Sequence, residues 1–277
     1  MNVQAATDQA LQMRKNIITM LHAAGSGHPG GSLSCTDIVS ALYFGGVMNY
    51  DPLNPDDPNR DRFILAKGHA APALYAALAQ AGFFPEEELT TLRKLGTRLQ
   101  GHPDSTLLPG VEVSTGSLGQ GLSIGAGLAA GLRLQKSPAR VFVVLGDGEC
   151  EEGQVWEAAT FAAFEKLGSL IAIVDTNGLQ IDGQVDQVCA SGTLQDKFAS
   201  FGWEVYEVDG HDMAALIDLF TTLKNSDTPA PKAVIARTVK GKGVSFMENQ
   251  VGWHGKAPND KQTEQALAEL NGEVSRG

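Results

Sequence analysis

The stretch that most constrains the fold is residues 140–182, which holds two apolar runs that each end in a turn with a side-chain oxygen. The first run ends at Gly146-Asp147-Gly148 and the second at Asp175-Thr176-Asn177-Gly178, with a helical interval between them. If the runs are neighbouring parallel strands, both turns lie at the carboxyl edge of one sheet, where α/β folds bind ligands. Because Mg²⁺ prefers oxygen ligands and usually keeps substrate phosphates among them, the pair predicts a site for a hard cation and a phosphate.

The rest of the chain alternates between strand-like and helical segments from residue 118 onward. Strands are predicted at residues 141–145, 170–174, 204–208 and 233–239, with helices at 118–135, 152–167, 193–201 and 213–223. This alternation favours an α/β fold with a mostly parallel sheet and helices on both faces. No linker, repeat or low-complexity tract interrupts it, so residues 1–277 are predicted to form a single domain.

The N-terminal third predicts helices separated by glycine- and proline-rich loops. A helix over residues 7–24 is expected to end in a loop at residues 25–31, and Ser34 is expected to cap the next helix. Residues 98–116 contain His-Pro, Pro-Gly and Ser-Thr-Gly sequences, which predict an extended surface loop. Loops of that length inside compact domains are usually functional.

Charge and composition exclude several classes of partner. The formal net charge is −11 and no Lys/Arg-rich run is present, so neither nucleic acid nor an anionic membrane is expected as a partner. The most apolar long run, residues 118–134, is too short and too polar to span a bilayer. The N-terminus has no signal-type apolar core. Three widely spaced cysteines give no metal or disulfide pattern, so a cytoplasmic location is expected.

Four of the six histidines lie in glycine-flanked loops, an unusual setting for structural histidines. They are His28, His69, His102 and His254. An imidazole in such a loop can donate to phosphate, hydroxyl or alkoxide oxygens and can carry a proton near neutral pH. The other two have simpler interpretations: His22 lies on a helix face, and His211 is expected to help Asp212 open the following helix.

The motif GDGECEEG followed by DTNGLQIDG resembles the thiamine diphosphate-binding motif of transketolases. The resemblance implies that thiamine diphosphate binds here through Mg²⁺, or through Ca²⁺ or Mn²⁺ in its place. The implied metal ligands are Asp147, Asn177 and the backbone carbonyl of Leu179. Gly148 would let the backbone approach the diphosphate, and Ile181 would lie against the cofactor rings.

The histidine loops match the same family. The resemblance implies that His69 and His254 reach the diphosphate and the reaction centre, while His28 and His102 lie near the sugar hydroxyls and carbonyl. Three further residues match the family's cofactor-binding segments: Gly116, Leu118 and Glu152. Glu152 corresponds to an acid where subunits meet, although a first-turn acid is also favoured by the helix dipole alone.

The resemblance runs from about residue 7 to about residue 258 and covers only the first half of a usual transketolase. The half that binds the cofactor aminopyrimidine, with its activating glutamate and sugar-phosphate site, has no counterpart in this sequence. We therefore expect the diphosphate-binding subunit of a split transketolase, completed by a C-terminal subunit in an α2β2 assembly. It would transfer a two-carbon ketol unit from a ketose to an aldose.

Two other functions stay open. An α-type subunit of another thiamine diphosphate enzyme would share the GDG and Asn motif: a 2-oxo acid dehydrogenase component, a deoxyxylulose phosphate synthase relative, or a transketolase for branched or sulfonated sugars. A non-catalytic module could also retain the fold. Four loop histidines beside Asp147 and Asn177 argue against the non-catalytic module, because a scaffold has no need of them.

Overall fold

A computed structural model describes residues 2–189 and 192–273, so the predicted domain of residues 1–277 extends beyond the described part at both ends. In chain order the strands are β1 (Arg62–Leu65), β2 (Val141–Gly146), β3 (Leu170–Thr176), β4 (Leu179–Gln180), β5 (Gly183–Gln184), β6 (Glu204–Asp209) and β7 (Lys232–Arg237). The main sheet has the order β1-β2-β3-β7-β6, and every pairing in it is parallel. Strands β4 and β5 form a small antiparallel hairpin.

The α-helices lie between the strands and at both ends of the described chain. They are α1 (Val3–Ala24), α2 (Pro29–Ser34), α3 (Thr36–Phe44), α4 (Ala71–Gln80), α5 (Gln120–Leu134), α6 (Gly153–Phe164), α7 (Val185–Val188), α8 (Leu194–Ser200), α9 (Met213–Lys224) and α10 (Asp260–Asn271). Short 3-10 turns occupy Gly68–Ala70, Glu86–Thr91, Gly148–Glu151 and Val251–Trp253. None of the described helices is long and apolar enough to cross a bilayer.

The central strands are buried on both faces of the sheet. Alternate residues such as Val144 and Ile173 join the apolar core that includes α1, α3, α4 and α9. Their neighbours Val143 and Ala172 join a second core with α5, α6 and α8. Strands buried on both sides read as continuous apolar runs, as β2 and β3 do. The predicted α/β fold with helices on both faces is confirmed.

The structure corrects the prediction for residues 25–34. Helix α2 begins at Pro29, inside the predicted loop, because proline at the first helical position has no N–H that needs a partner. Ser34 is the last residue of α2 and does not cap the next helix, which follows Cys35. Residues 98–116 contain neither helix nor strand, as predicted.

Candidate functional site

A cleft of about 470 Å³ opens at the carboxyl ends of β2 and β3. It is lined by every residue that the sequence singled out for the site: His28, His69, His102, Gly116, Leu118, Asp147, Gly148, Glu152, Asn177, Leu179, Ile181 and His254. The parallel register pairs Gly146 with Asp175, which places the two turns of the opening motif side by side. Segments far apart in the sequence therefore meet at one edge of the sheet.

The Asp147 carboxylate ties the two turns together. Its Oδ1 accepts a hydrogen bond from the Gly148 amide at 2.8 Å, and its Oδ2 accepts one from the Gly178 amide at 2.6 Å. Burial, reinforced by the nearby Asp175 carboxylate, raises the pKa of Asp147 to about 6. A charged carboxylate is thus costly at this position, and a bound cation would remove that cost.

Asn177 and Leu179 supply the other oxygens of the predicted metal set. Asn177 Nδ2 donates to Asp175 Oδ2 at 3.3 Å, while its Oδ1 accepts from the Leu179 amide at 3.2 Å. The Leu179 carbonyl accepts from Lys240 Nζ at 2.9 Å. One carboxylate, one amide oxygen and one carbonyl suit a hard divalent cation. No cluster of three or more His, Cys, Asp or Glu side chains offers another metal site within the described residues.

Three of the loop histidines form a compact triangle. The ring centroids of His28, His69 and His254 are 5.2 to 5.5 Å apart. Burial lowers the pKa of His28 and of His254 to about 4, with Arg93 and Lys240 respectively as the next causes. Burial also holds the pKa of His69 well below its usual value. At neutral pH these imidazoles are uncharged, so each has one nitrogen that donates and one that accepts.

His28 offers a direct indication of a ligand. Its Nδ1 is buried and has no hydrogen-bond partner among the described residues. Buried polar atoms are nearly always satisfied, and an exception needs an explanation such as an absent water, ion or substrate. His28 lines the cleft, so a ligand bound there is the natural partner for this nitrogen.

His102 lies on the long loop and packs against Gly116. A Cβ added to Gly116 would lie 3.0 Å from the His102 ring, and the backbone φ of Gly116 is +146°. Both facts require glycine at this position. Burial, and then the positive charge of Arg93, lower the pKa of His102. The loop thus brings a fourth neutral imidazole to the cleft.

Three more of the predicted site residues lie toward the hairpin and the rim of the cleft. A Cβ on Gly148 would lie 3.1 Å from the Cβ of Gln180, so this glycine also makes room for the hairpin that follows β3. Glu152 is exposed and directly precedes α6. Ile181 is 64% exposed, which is unusual for a large apolar side chain at a cleft.

Sequence reasoning missed two buried ionisable residues that line the cleft, Lys67 and Glu149. Lys67 donates to the Gly31 carbonyl at 2.7 Å and forms an ion pair with Asp175. Glu149 accepts from the amides of Gly119 and Gly146 at 3.0 Å each, and burial raises its pKa to about 7. Lys67 directly precedes the Gly-His pair of one histidine loop, but only the fold shows that its side chain points inward.

Lys240 was also missed, although it follows the last strand in the run Thr-Val-Lys-Gly-Lys. Its Nζ lies 2.9 Å from His254 Nδ1 and contacts the Leu179 carbonyl. Burial, followed by the charge of Lys67, lowers the pKa of Lys240 to about 8. The cleft therefore brings together the oxygen ligands, the neutral imidazoles and the amine of Lys240, which contacts one of those oxygens.

Comparison with known proteins identifies the family. The family model described as "Transketolase, thiamine diphosphate binding domain" matches residues 6–273. The chain is 42% identical to a 6-deoxy-6-sulfo-D-fructose transketolase subunit of Clostridium sp. (strain MSTE9), with 96% of each chain covered. It is 38% identical to an apulose-4-phosphate transketolase subunit of Phocaeicola vulgatus, covering 100% of this chain and 97% of that one.

Longer relatives match over only part of their length. Human transketolase is 41% identical over 98% of this chain but only 43% of its own. The solved transketolase of Campylobacter jejuni superposes with a TM-score of 0.91 at 31% identity, covering 100% of this chain and 44% of that one. The predicted thiamine diphosphate cofactor and transketolase function agree with these matches. The chain belongs to the transketolase family and carries its thiamine diphosphate-binding domain.

Proposed function

We propose that this chain is the diphosphate-binding subunit of a two-subunit transketolase that moves a two-carbon ketol unit from a ketose to an aldose. The observation that carries this proposal is the contrast in coverage. The chain matches 96–97% of two relatives that are named as subunits, but 43% of human transketolase. A C-terminal transketolase chain would supply the aminopyrimidine side of the site, with two copies of each chain in the assembly.

The cleft fits a diphosphate held through a divalent cation, with Mg²⁺ proposed and Ca²⁺ or Mn²⁺ as substitutes. Asp147, Asn177 and the Leu179 carbonyl would hold the cation. Two observations support this assignment: the donor set is that of a hard cation, and burial raises the pKa of the Asp147 carboxylate, which a bound cation would lower again. Bound thiamine diphosphate supplies the carbon nucleophile and electron sink that ketol transfer needs.

The histidines would act on the sugar and on the cofactor diphosphate. We assign His69 and His254 to the diphosphate and the reaction centre, and His28 and His102 to the hydroxyl and carbonyl oxygens of the sugar. A neutral imidazole can donate a hydrogen bond to a carbonyl oxygen and accept a proton from a hydroxyl. The unpartnered Nδ1 of His28 is free for such a contact.

The remaining cofactor assignments concern the walls and rim of the cleft. Gly116 and Leu118 would approach the cofactor from the long loop, Gly148 would face the diphosphate, and Ile181 would contact the rings. Glu152 would meet the partner chain at the rim, consistent with its exposure. The exposed apolar side chain of Ile181 is the kind of surface that a cofactor or a second chain covers.

We place this enzyme in the cytoplasm. Cys35 and Cys150 are buried free thiols and Cys189 is an exposed one. A reducing compartment keeps such thiols free.

The test is reconstitution. The chain is assayed with thiamine diphosphate and Mg²⁺, alone and with the proposed C-terminal transketolase chain, against a panel of ketose donors that includes phosphorylated and sulfonated sugars. We expect ketol transfer only from the mixture, and none when Asp147 is replaced by alanine. Full activity from this chain alone would contradict the two-subunit proposal.

Two further outcomes separate the alternatives. Decarboxylation of a 2-oxo acid by the mixture, without ketol transfer, would identify an α-type subunit of another thiamine diphosphate enzyme. Unchanged cofactor affinity in the Asp147→Ala variant would favour a non-catalytic module.

A further inference from the structure

Asp175 is a buried carboxylate beneath the cleft for which the proposed reaction has no direct use. It lies at the carboxyl end of β3, in register with Gly146 of β2 and Ala236 of β7. Its exposed fraction is 0%, and it does not line the cleft. A buried charge is costly, so its presence in the middle of the sheet needs a reason.

The two oxygens of Asp175 accept hydrogen bonds from four side chains, three on separate segments and one, Asn177, in the turn that Asp175 itself begins. Oδ2 accepts from Ser34 Oγ at 2.6 Å, from Asn177 Nδ2 at 3.3 Å and from Lys67 Nζ. Oδ1 accepts from Thr238 Oγ1. Lys67 is buried as well, with 2% of its surface exposed, and it neutralises the carboxylate. Asp175 is therefore the point where four pieces of chain are joined.

Each of these segments also carries a residue of the cleft. Ser34 ends the short helix that begins directly after His28, and Thr238 stands two residues before Lys240. Lys67 stands two residues before His69. Loss of the carboxylate would release all of these connections at once.

The contact with Asn177 has the most specific consequence. An amide side chain has an oxygen end and a nitrogen end of nearly the same shape, and only hydrogen bonding determines which way it points. A carboxylate can only accept, so Asp175 binds the Nδ2 end of Asn177. The Oδ1 end, which is the end a metal needs, is thereby directed away from Asp175 and toward the Leu179 turn.

We propose that Asp175 is a positioning residue that fixes the amide of Asn177 with its oxygen toward the metal. This inference rests on the proposed function, because it takes Asn177 to be a metal ligand. Residues that orient metal ligands typically change metal affinity by about 10–100-fold when they are replaced. Asp175 needs no contact with cofactor or sugar for this role.

The test compares two double variants that both lack the buried ion pair. Lys67→Met/Asp175→Leu removes the acceptor for the Asn177 amide, whereas Lys67→Met/Asp175→Asn keeps a carbonyl oxygen that can take its place. Because neither leaves a buried charge unpaired, both avoid the main cause of misfolding at such a site. Thermal melting and near-UV circular dichroism check that each variant is folded.

The readout is the apparent Kd for Mg²⁺ at saturating thiamine diphosphate, measured by calorimetry on the chain assembled with its C-terminal partner. We expect the leucine variant to bind Mg²⁺ about 10–100-fold more weakly than the asparagine variant. Equal affinities would overturn the positioning role. If the leucine variant does not fold, Lys67→Met/Asp175→Ala, which also lacks the acceptor and the buried charge, takes its place against Lys67→Met/Asp175→Asn.

The wild-type protein separates this inference from the proposed function. Absence of Mg²⁺-dependent cofactor binding by the wild-type assembly would overturn the proposed function, and the inference with it. Normal binding by the wild type together with equal Mg²⁺ affinities in the two variants would overturn only the role of Asp175.

Discussion

Replacing Asp147 by asparagine should make the stability of the cofactor-free protein less sensitive to pH while abolishing metal binding. The pKa of Asp147 is about 6 in the folded protein, against an ordinary value of 3.8. Between these values the unfolded chain releases its proton while the folded protein retains it. The wild type therefore loses stability as the pH rises from about 4 to above 6.

The size of this effect follows from the two pKa values. Their difference corresponds to about 3 kcal/mol of folding free energy that the wild type loses as the pH rises. The asparagine variant has no carboxylate at this position and does not lose this stability. Asparagine has its own cost at every pH, because Asp147 accepts from two backbone amides and an amide side chain has only one oxygen. That mismatch costs about 1–3 kcal/mol. The variant should therefore be about 1–3 kcal/mol less stable than the wild type at pH 4, and equal to it or up to about 2 kcal/mol more stable at pH 7.5.

The assay is urea unfolding of both proteins without metal or cofactor at several pH values between 4 and 8. The quantity of interest is the difference in unfolding free energy between variant and wild type, in which other titrating groups cancel. Asp182→Asn makes the same chemical change at an exposed position in the neighbouring hairpin turn and serves as the matched control. A difference for Asp147→Asn that does not change with pH would refute the argument that burial dominates at this carboxylate.

The same samples test the metal site. Mg²⁺ with thiamine diphosphate at 100 times the Kd should stabilise the wild type by about 2.7 kcal/mol. The same mixture should not change the unfolding free energy of the Asp147→Asn variant, because asparagine removes the only negatively charged ligand of the proposed set. Equal stabilisation of the two proteins would place the cation elsewhere.

Two further predictions concern packing and charge. A Cβ on Gly68 would lie 2.6–2.7 Å from the backbone of the loop that carries His102, so Gly68→Ala should destabilise the protein by about 1–3 kcal/mol in urea unfolding. Gly131→Ala, in open space within α5, should instead stabilise it by about 0.5–1 kcal/mol, and equal effects would contradict this account. Arg93→Gln should raise the pKa of His102 in an NMR titration, because Arg93 lowers it. The control Arg98→Gln should leave the pKa of His102 unchanged, because the Arg98 guanidinium pairs with a glutamate in the wild type.

The fold and the cleft could be predicted because both depend on short-range patterns. Apolar runs ending in Gly-Asp-Gly and Asp-Thr-Asn-Gly mark strand ends, and the alternation of strands and helices fixes which edge of the sheet they share. The glycine-flanked histidine loops were identifiable for the same reason. Each of these signals lies within a few residues of sequence. That the histidine loops meet at this edge of the sheet was predicted only from the resemblance to transketolases, because local sequence does not show which loops come together.

The start of α2 was predicted wrongly because local sequence patterns alone do not show the tertiary contacts of a short segment. The sequence Gly-Ser-Gly-His-Pro-Gly-Gly has few helix-forming residues, and local propensity argues for a loop. The helix forms nonetheless because all six of its residues are buried and its last residue, Ser34, is bonded to Asp175. Burial and this tertiary contact thus override the local propensity of a short segment.

The buried charges escaped sequence analysis because their partners are remote. Lys67 and Asp175 are 108 residues apart, and Ser34 and Asp175 are 141 apart. Replacing such a pair by apolar residues is often neutral or even stabilising, so stability alone gives little reason to keep it. The direction of the hydrogen bond from Asn177 to Asp175 gives a better reason. An apolar side chain at position 175 could fill the space, but it could not determine which end of the Asn177 amide faces the cation. A hydrogen-bond acceptor buried at position 175 is thus better explained by the orientation of Asn177 that the proposed metal site requires than by the stability of the sheet.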